Sequence, residues 1–158
     1  MRRPWNLVNT PVYSLATASG DAANMNICTY VTPISRRPKC YAVSLEPGSK
    51  SCALFSAQGR GVLQLLTTRQ ASLIRVLGYR SGHVFDKYTY LESRGLLAKW
   101  EGRPVLRDAA AYLALQVEDQ VEAGDHRLFI CQVERSRSQS DRHILMLQDL
   151  IQQGLILS

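Results

Sequence analysis

The sequence predicts a mainly β domain, an antiparallel barrel or sandwich carrying a few peripheral helices. Three observations predict it. The first half of the chain is a series of short β-compatible runs divided by turn clusters of Gly, Pro, Ser and Asp. The second half holds two longer apolar runs, 109–121 and 127–135, joined by the turn Glu122-Ala123-Gly124-Asp125. The alternation of strand and crossover helix that builds a doubly wound parallel sheet is missing, and no G-x-G-x-x-G follows the first strand.

The elements follow in order. Val12 to Ala18 is rich in small and β-compatible residues and stops at Ser19-Gly20-Asp21. Ile27 to Ser35 carries Thr29, Tyr30, Val31, Thr32 and Ile34. Pro33 inside it demands an edge or a bulge, because proline has no N–H to give a ladder. Arg36-Arg37-Pro38 turns the chain. Cys40 to Glu46 alternates, with Tyr41, Val43 and Leu45 on one face and Cys40, Ala42 and Ser44 on the other. Pro47-Gly48-Ser49 ends that strand and opens a short helix with Ser49 as N-cap, stopped by Gly59 and Gly61. Gly61 to Thr67 reads as a strand, and Arg69 to Leu77 as a helix whose Leu73, Ile74 and Leu77 share a face ahead of Gly78. Residues 79–104 read as a long loop with short elements. Residues 127–135 suggest burial on both faces. Asp141 to Gln153 reads as a final helix capped by Asp141 and ended by Gly154.

The chain has 158 residues, 46% hydrophobic and 20% charged, which suits one domain spanning 1–158 with a core of its own. The net charge is +6 and unevenly placed: residues 1–80 carry ten basic and two acidic side chains, residues 81–158 nine and eleven. A basic half seeks an anion, whether nucleic acid, an acidic membrane surface or a phosphorylated small molecule. No apolar run approaches the roughly 18–20 residues of a membrane span. Asn6, Asn9, Thr10 and Pro11 interrupt any signal-peptide core, so no signal peptide and no membrane partner are expected. Cys28, Cys40, Cys52 and Cys131 are too widely spaced for a C-x-x-C and read as reduced thiols of a cytoplasmic chain.

Three stretches carry polar chemistry. In Glu46-Pro47-Gly48-Ser49-Lys50-Ser51 a strand ends, a tight turn follows, and a helix begins with two hydroxyls and a lysine. The free N–H groups of a first helical turn suit a phosphate, although an ordinary capped helix with a solvated lysine has the same sequence. Asn26 to Thr32 offers amide, hydroxyl and phenol groups, and its unpaired backbone could read the rim of a heterocycle or simply face water. Gly124-Asp125-His126 places a histidine just after a turn, where a loop side chain can reach a site. The three histidines have no ligand spacing for a metal, and no metal is expected. No G-x-S-x-G or base-paired nucleophile is present.

Taken in order, these blocks resemble the flavin reductase-like family of FMN-binding split barrels. The resemblance runs from about Pro11 to the C-terminus. It is carried by Asn26 to Ser35, Tyr41 to Leu45, Gly48 to Ser51, Gly61 to Leu66, Ser81-Gly82 with Asp86-Lys87, Gly102 to Leu106, and Gly124 to Ile130. It implies a six-stranded antiparallel Greek-key split barrel with peripheral helices, a homodimer, and FMN held noncovalently. It further implies that Ile27, Cys28, Thr29 and Tyr30 run beside the flavin ring and that Ser44 and Leu45 lie under it. Ser49, Lys50 and Ser51 would hold the phosphate, and Gln64, Leu65 and Leu66 would complete the pocket. Family members often have Asn at the position of Gln64.

The implied reaction is hydride transfer from NADH or NADPH to flavin, which serves a downstream oxygenase or another electron acceptor. The cofactor carries such chemistry itself, which fits the absence of a triad or metal motif. Lys87 and His126 are the candidates for charge or for orienting the nicotinamide. Each also has a plain structural reading, Lys87 as a salt bridge to Asp86 and His126 as a turn residue bonded to backbone. An FMN-binding electron carrier, or a split-barrel flavoprotein acting on another substrate, is an alternative. A nucleic-acid-binding barrel is a further one, suggested by Arg2, Arg3, Arg36, Arg37 and Lys39. It lacks the interleaved aromatic and basic residues of a stacking platform, so no nucleic acid is expected.

Overall fold

Strand β1 (Tyr13–Ser19) shows how one alternating sequence serves two cores. Its odd positions, Tyr13 and Leu15, pack with Val43, Phe55, Leu63 and Phe129. Val12 and Ala16 pack on the opposite side with Val62, Leu66, Leu106 and Tyr112. A strand buried on both faces needs apolar residues at both parities, and β1 supplies them. The computed structural model describes residues 1–157.

A turn at Gly20 leads from β1 into β2 (Ala22–Met25), and β3 (Val31–Arg36) and β4 (Lys39–Leu45) form the next hairpin. Helix α1 (Lys50–Gln58) returns the chain to β5 (Arg60–Leu65). After the short helices α2 (Ile74–Leu77) and α3 (Lys87–Ser93) come β6 (Leu97–Trp100) and β7 (Arg103–Leu106), a separate two-stranded ribbon. The long hairpin of β8 (Ala111–Ala123) and β9 (His126–Ser138) precedes α4 (Leu147–Gln152). The main sheet runs β2-β1-β5-β8-β9-β4-β3, with antiparallel pairing throughout.

The segment between β2 and β3 crosses between the two ends of this sheet. Cys28 exchanges both backbone hydrogen bonds with Tyr13 of β1 at 2.8–2.9 Å, and the Ser44 N–H of β4 donates to the Tyr30 carbonyl at 2.9 Å. The crossing draws β1 and β4 together around an interior plugged by α1. There Cys52 and Phe55 are fully buried, and the Phe55 and Phe129 rings meet at 4.8 Å. The ribbon, α2, α3 and α4 cover the other face.

Several sequence expectations are corrected. The main sheet has seven strands, not six. The added β2, Ala-Ala-Asn-Met, lacks the β-branched and aromatic residues that announce a strand. Ile27 to Ser35 is not one strand: the crossing occupies 27–30 and β3 starts at Val31, with a register shift between Pro33 and Ser35 on the sheet edge. Arg69 to Leu77 is a 3-10 helix, Thr68–Leu73, running into α2. The short elements expected in the loop over 79–104 are α3, capped by the Asp86 carboxylate, and the start of the ribbon. In β9 only the parity of Phe129 and Cys131 is fully buried. The final helix starts at Leu147 rather than near Asp141, because the residues before it pair as extended backbone. Leu145 donates to the Leu66 carbonyl and accepts from the Val12 N–H.

Candidate functional site

A cleft of about 540 Å³ opens where the crossing segment meets the start of α1. One wall begins at the end of β4. The Glu46 carbonyl accepts from both the N–H and the hydroxyl of Ser49, at 3.1 and 2.8 Å, which closes a tight turn. The Ser49 hydroxyl in turn accepts from the Cys52 N–H at 3.1 Å, as an N-cap does. The Ser51 hydroxyl is fully buried and accepts from the Asn24 amide at 2.9 Å. The Ser49 hydroxyl is thus used as both donor and acceptor, the Ser51 hydroxyl as an acceptor alone. The backbone N–H groups of Lys50 and Ser51 have no partner among the described residues, and Lys50 lines the cleft beside Ser49 and Ser51. Such a donor set at a helix start suits an anion.

The crossing segment forms the second wall. Asn26 anchors its start, its side-chain oxygen accepting from the Leu15 N–H at 2.8 Å. Cys28 and Tyr30 are tied to β1 and β4, so Thr29 between them keeps both backbone groups unpaired among the described residues. The Cys28 thiol sits in the core, and burial pushes it up to about 12, far from a reactive thiolate. The third wall is the chain from Leu77 to Gly82. Here Gly82 is required by space: a Cβ on it would run into the Asn24 amide that holds Ser51.

Of the residues expected at a site, the structure brings Ile27, Cys28, Thr29, Tyr30, Ser44, Leu45, Ser49, Lys50 and Ser51 to this one cleft, with Lys87 and His126. It does not bring Gln64, Leu65 or Leu66 there. Gln64 is fully buried on the opposite face of the sheet, its side-chain oxygen accepting from the Leu106 N–H and its amide directed at the Met25 sulfur, 3.6 Å away. Leu66 is fully buried in that same core. Gln64 and Leu66 share the β5 parity that faces the covering helices, and Leu65, of the other parity, packs against the second core, so none of the three lines this cleft.

The two plain readings of Lys87 and His126 are also revised. Lys87 does not pair with Asp86, whose carboxylate turns to the Thr89 N–H and hydroxyl at 3.0 and 2.7 Å. Lys87 is 4% exposed, and its ammonium donates to the Leu77 carbonyl at 2.8 Å. His126 binds a carboxylate, not backbone: its Nδ1 lies 2.7 Å from Asp125 Oδ1. Because a carboxylate only accepts, Nδ1 carries a proton toward Asp125, and Nε2 has no partner among the described residues. The Tyr30 ring lies 5.1 Å from the imidazole.

Sequence reasoning missed Asn24, Arg80 and the Gly78 to Gly82 wall. The Ser81-Gly82 block was visible, but nothing local tied it to α1. Lys50, Arg80 and Lys87 line the cleft against one carboxylate, Glu46.

The cleft at the crossing is cationic and lined by open N–H groups, a chemistry that suits an anion. Residues 1–152 match the flavin reductase like domain, and the chain belongs to that family. A high molecular weight rubredoxin from Moorella thermoacetica is 30% identical over 125 residues, covering 75% of this chain and 52% of the rubredoxin. The chain spans about half or less of the length of the curated relatives it matches. An FMN-binding protein from Thermus thermophilus, solved with bound p-hydroxybenzaldehyde, superposes with a TM-score of 0.77 at 21% identity over 88% of this chain and 77% of that one. The flavin reductase component of a bacterial two-component tryptophan halogenase does so with a TM-score of 0.78 at 20% identity, over 88% and 86%. The styrene monooxygenase flavin reductase of Pseudomonas putida S12 gives 0.70 at 23%, over 84% and 82%. At these identities the likenesses speak for the fold.

Proposed function

We propose that this chain is an FMN-binding flavin reductase that moves hydride from NADH or NADPH to a flavin in the cleft. The observation that carries the reading is the donor set at the start of α1: two open N–H groups and the Lys50 ammonium, at one side of a cleft of mononucleotide size. The residues fit a flavin mononucleotide. Lys50 and the α1 terminus suit the phosphate, and the unpaired backbone of Thr29 suits the polar rim of the ring. Ser49 contributes through the turn it holds, its hydroxyl being committed to Glu46 and Cys52, and Ser51 through its backbone N–H and the O–H that stays free while its oxygen accepts from Asn24.

When bound, the flavin supplies the hydride chemistry. The chain's part is position and charge. Donors fixed before the reaction favour negative charge at the ring without reorganising. Asp125 orients His126, leaving Nε2 to hold the incoming nicotinamide donor near the Tyr30 side of the cleft. The product is reduced flavin for a downstream oxygenase or another electron acceptor. Part of the proposal is a homodimer, supported by Tyr30 and Ile34, two large apolar side chains exposed at the crossing and on the edge strand β3.

Titration with FMN and with riboflavin tests the phosphate assignment. A charge-assisted phosphate contact of about 1.5–3 kcal/mol makes Lys50→Ala weaken FMN by about 10- to 150-fold and leave riboflavin unchanged. Equal loss for both ligands, or no loss for either, would place the phosphate elsewhere.

A further inference from the structure

The buried hydroxyl of Ser51 is half satisfied. Its oxygen accepts from the Asn24 side-chain amide at 2.9 Å, and its own proton has no acceptor among the described residues. Ser51 is fully buried and lies on the cleft wall, in the first turn of α1. A buried donor left unmet costs free energy. The acceptor that the Ser51 proton lacks is one that an anion in the cleft supplies.

Asn24 decides which way that hydroxyl points. A hydroxyl both donates and accepts, so a neighbour that donates to its oxygen leaves the proton free to face elsewhere. The amide is itself held in place. Asn24 is 3% exposed and sits in β2, where the ladder to β1 sets it opposite Thr17. The Thr17 hydroxyl donates to the Asn24 carbonyl at 3.4 Å. Gly82 closes over the side chain and leaves no room for a Cβ between them. A strand whose composition does not announce one thus fixes a single amide against the start of α1.

We propose that Asn24 is a positioning residue for the anion site: by donating to the Ser51 oxygen it turns the Ser51 O–H toward the cleft, beside the open N–H groups of Lys50 and Ser51. The inference rests on the reading that FMN occupies the cleft with its phosphate at α1, and it names the residue that sets the polarity of that site. Asn24 acts through Ser51 and makes no contact with the phosphate itself. Without the amide, the hydroxyl offers a lone pair to the cleft as readily as a proton, and a lone pair repels a phosphate oxygen. An aspartate in its place reverses the hydroxyl, because a carboxylate only accepts and draws the Ser51 proton inward.

The test is a cycle of Kd values for FMN and for riboflavin at neutral pH, read by quenching of flavin fluorescence. It compares the wild type, Ser51→Ala, Asn24→Asp and the double variant, each shown by its melting curve to be folded at the assay temperature. In the wild type, Ser51→Ala removes a charge-assisted donor and weakens FMN about tenfold or more, with riboflavin unchanged. In the Asn24→Asp chain the hydroxyl already points inward, so adding Ser51→Ala costs FMN nothing further. The new carboxylate is present on both sides of that second comparison, so its own repulsion of the phosphate cancels. Asn24→Leu keeps the volume and removes the donor; there Ser51→Ala costs FMN less than in the wild type, and this variant carries the comparison if the aspartate chain does not fold. An equal cost of Ser51→Ala in every background overturns the proposal, and so does a Ser51→Ala that leaves FMN binding to the wild type unchanged. Losses at Asn24 that fall on FMN and riboflavin alike show it to be a packing residue of β2 and overturn the proposal too. A wild-type chain that binds neither flavin, or binds both equally, refutes instead the reading on which the proposal rests.

Discussion

Replacing Gln64 by Leu separates a structural amide from a flavin ligand. Gln64 is fully buried on β5, and its side-chain oxygen is the acceptor for the Leu106 N–H at the end of β7. Leu keeps most of the volume, so no large cavity opens. What is lost is the acceptor, and Leu106 is itself fully buried, so its N–H finds no water. An unsatisfied buried donor costs about 1–3 kcal/mol. The lost contact to the Met25 sulfur adds little, because thioether sulfur is a weak acceptor. In a domain of this size each kcal/mol lowers Tm by about 2–4 °C, so the variant melts about 2–12 °C lower. Thermal unfolding followed by circular dichroism reads this directly. FMN titrated well below the transition gives an unchanged Kd. A weakened FMN complex with an unshifted Tm would refute the reasoning and return Gln64 to the flavin pocket.

Gly82→Ala pushes the Asn24 amide from Ser51 and lowers stability in urea by about 1–3 kcal/mol, from overpacking and a broken buried hydrogen bond. An unchanged midpoint would show that the 78–82 wall shifts to make room. Sedimentation equilibrium of the wild-type chain gives twice the monomer mass, and exposed Tyr30→Asp lowers the association. A monomer at all concentrations would remove the homodimer from the account.

Much of the fold was legible because local chemistry and tertiary structure agree. Pro47-Gly48-Ser49 combines residues that favour a turn with a helix N-cap, and it ends β4 and caps α1 here, with Gly59 at φ 65° closing the helix. Pro33 requires an edge with an irregular register, and β3 supplies both. The long β8–β9 hairpin follows its turn residues closely. Other elements depend on distant partners. Residues 144–146 pair instead as extended chain with Pro11 and Val12 just before β1 and with Leu66 and Thr67 just after β5. β2 has no strand composition and is held by its ladder to β1.

The site divides the same way. The turn at Ser49-Lys50-Ser51 declares itself through helix-terminus physics. The parity of Gln64 depends on which face of β5 meets the helices, and alternation alone does not say which, because both faces are buried. Lys87 was visible as a charged residue near Asp86. Its direction came only from the fold, which sends it to the Leu77 carbonyl rather than to its neighbour.

The proposed passage of hydride from a nicotinamide to flavin in the cleft is read most directly from the flavin spectrum. The wild-type chain mixed with equimolar FMN, without oxygen, is given NADH and in a second cuvette NADPH, and the oxidised flavin absorbance is followed. The account predicts that the band bleaches with at least one donor, far faster than in free FMN, and that the colour returns when air is admitted. A band that persists with both donors while FMN remains bound would contradict it.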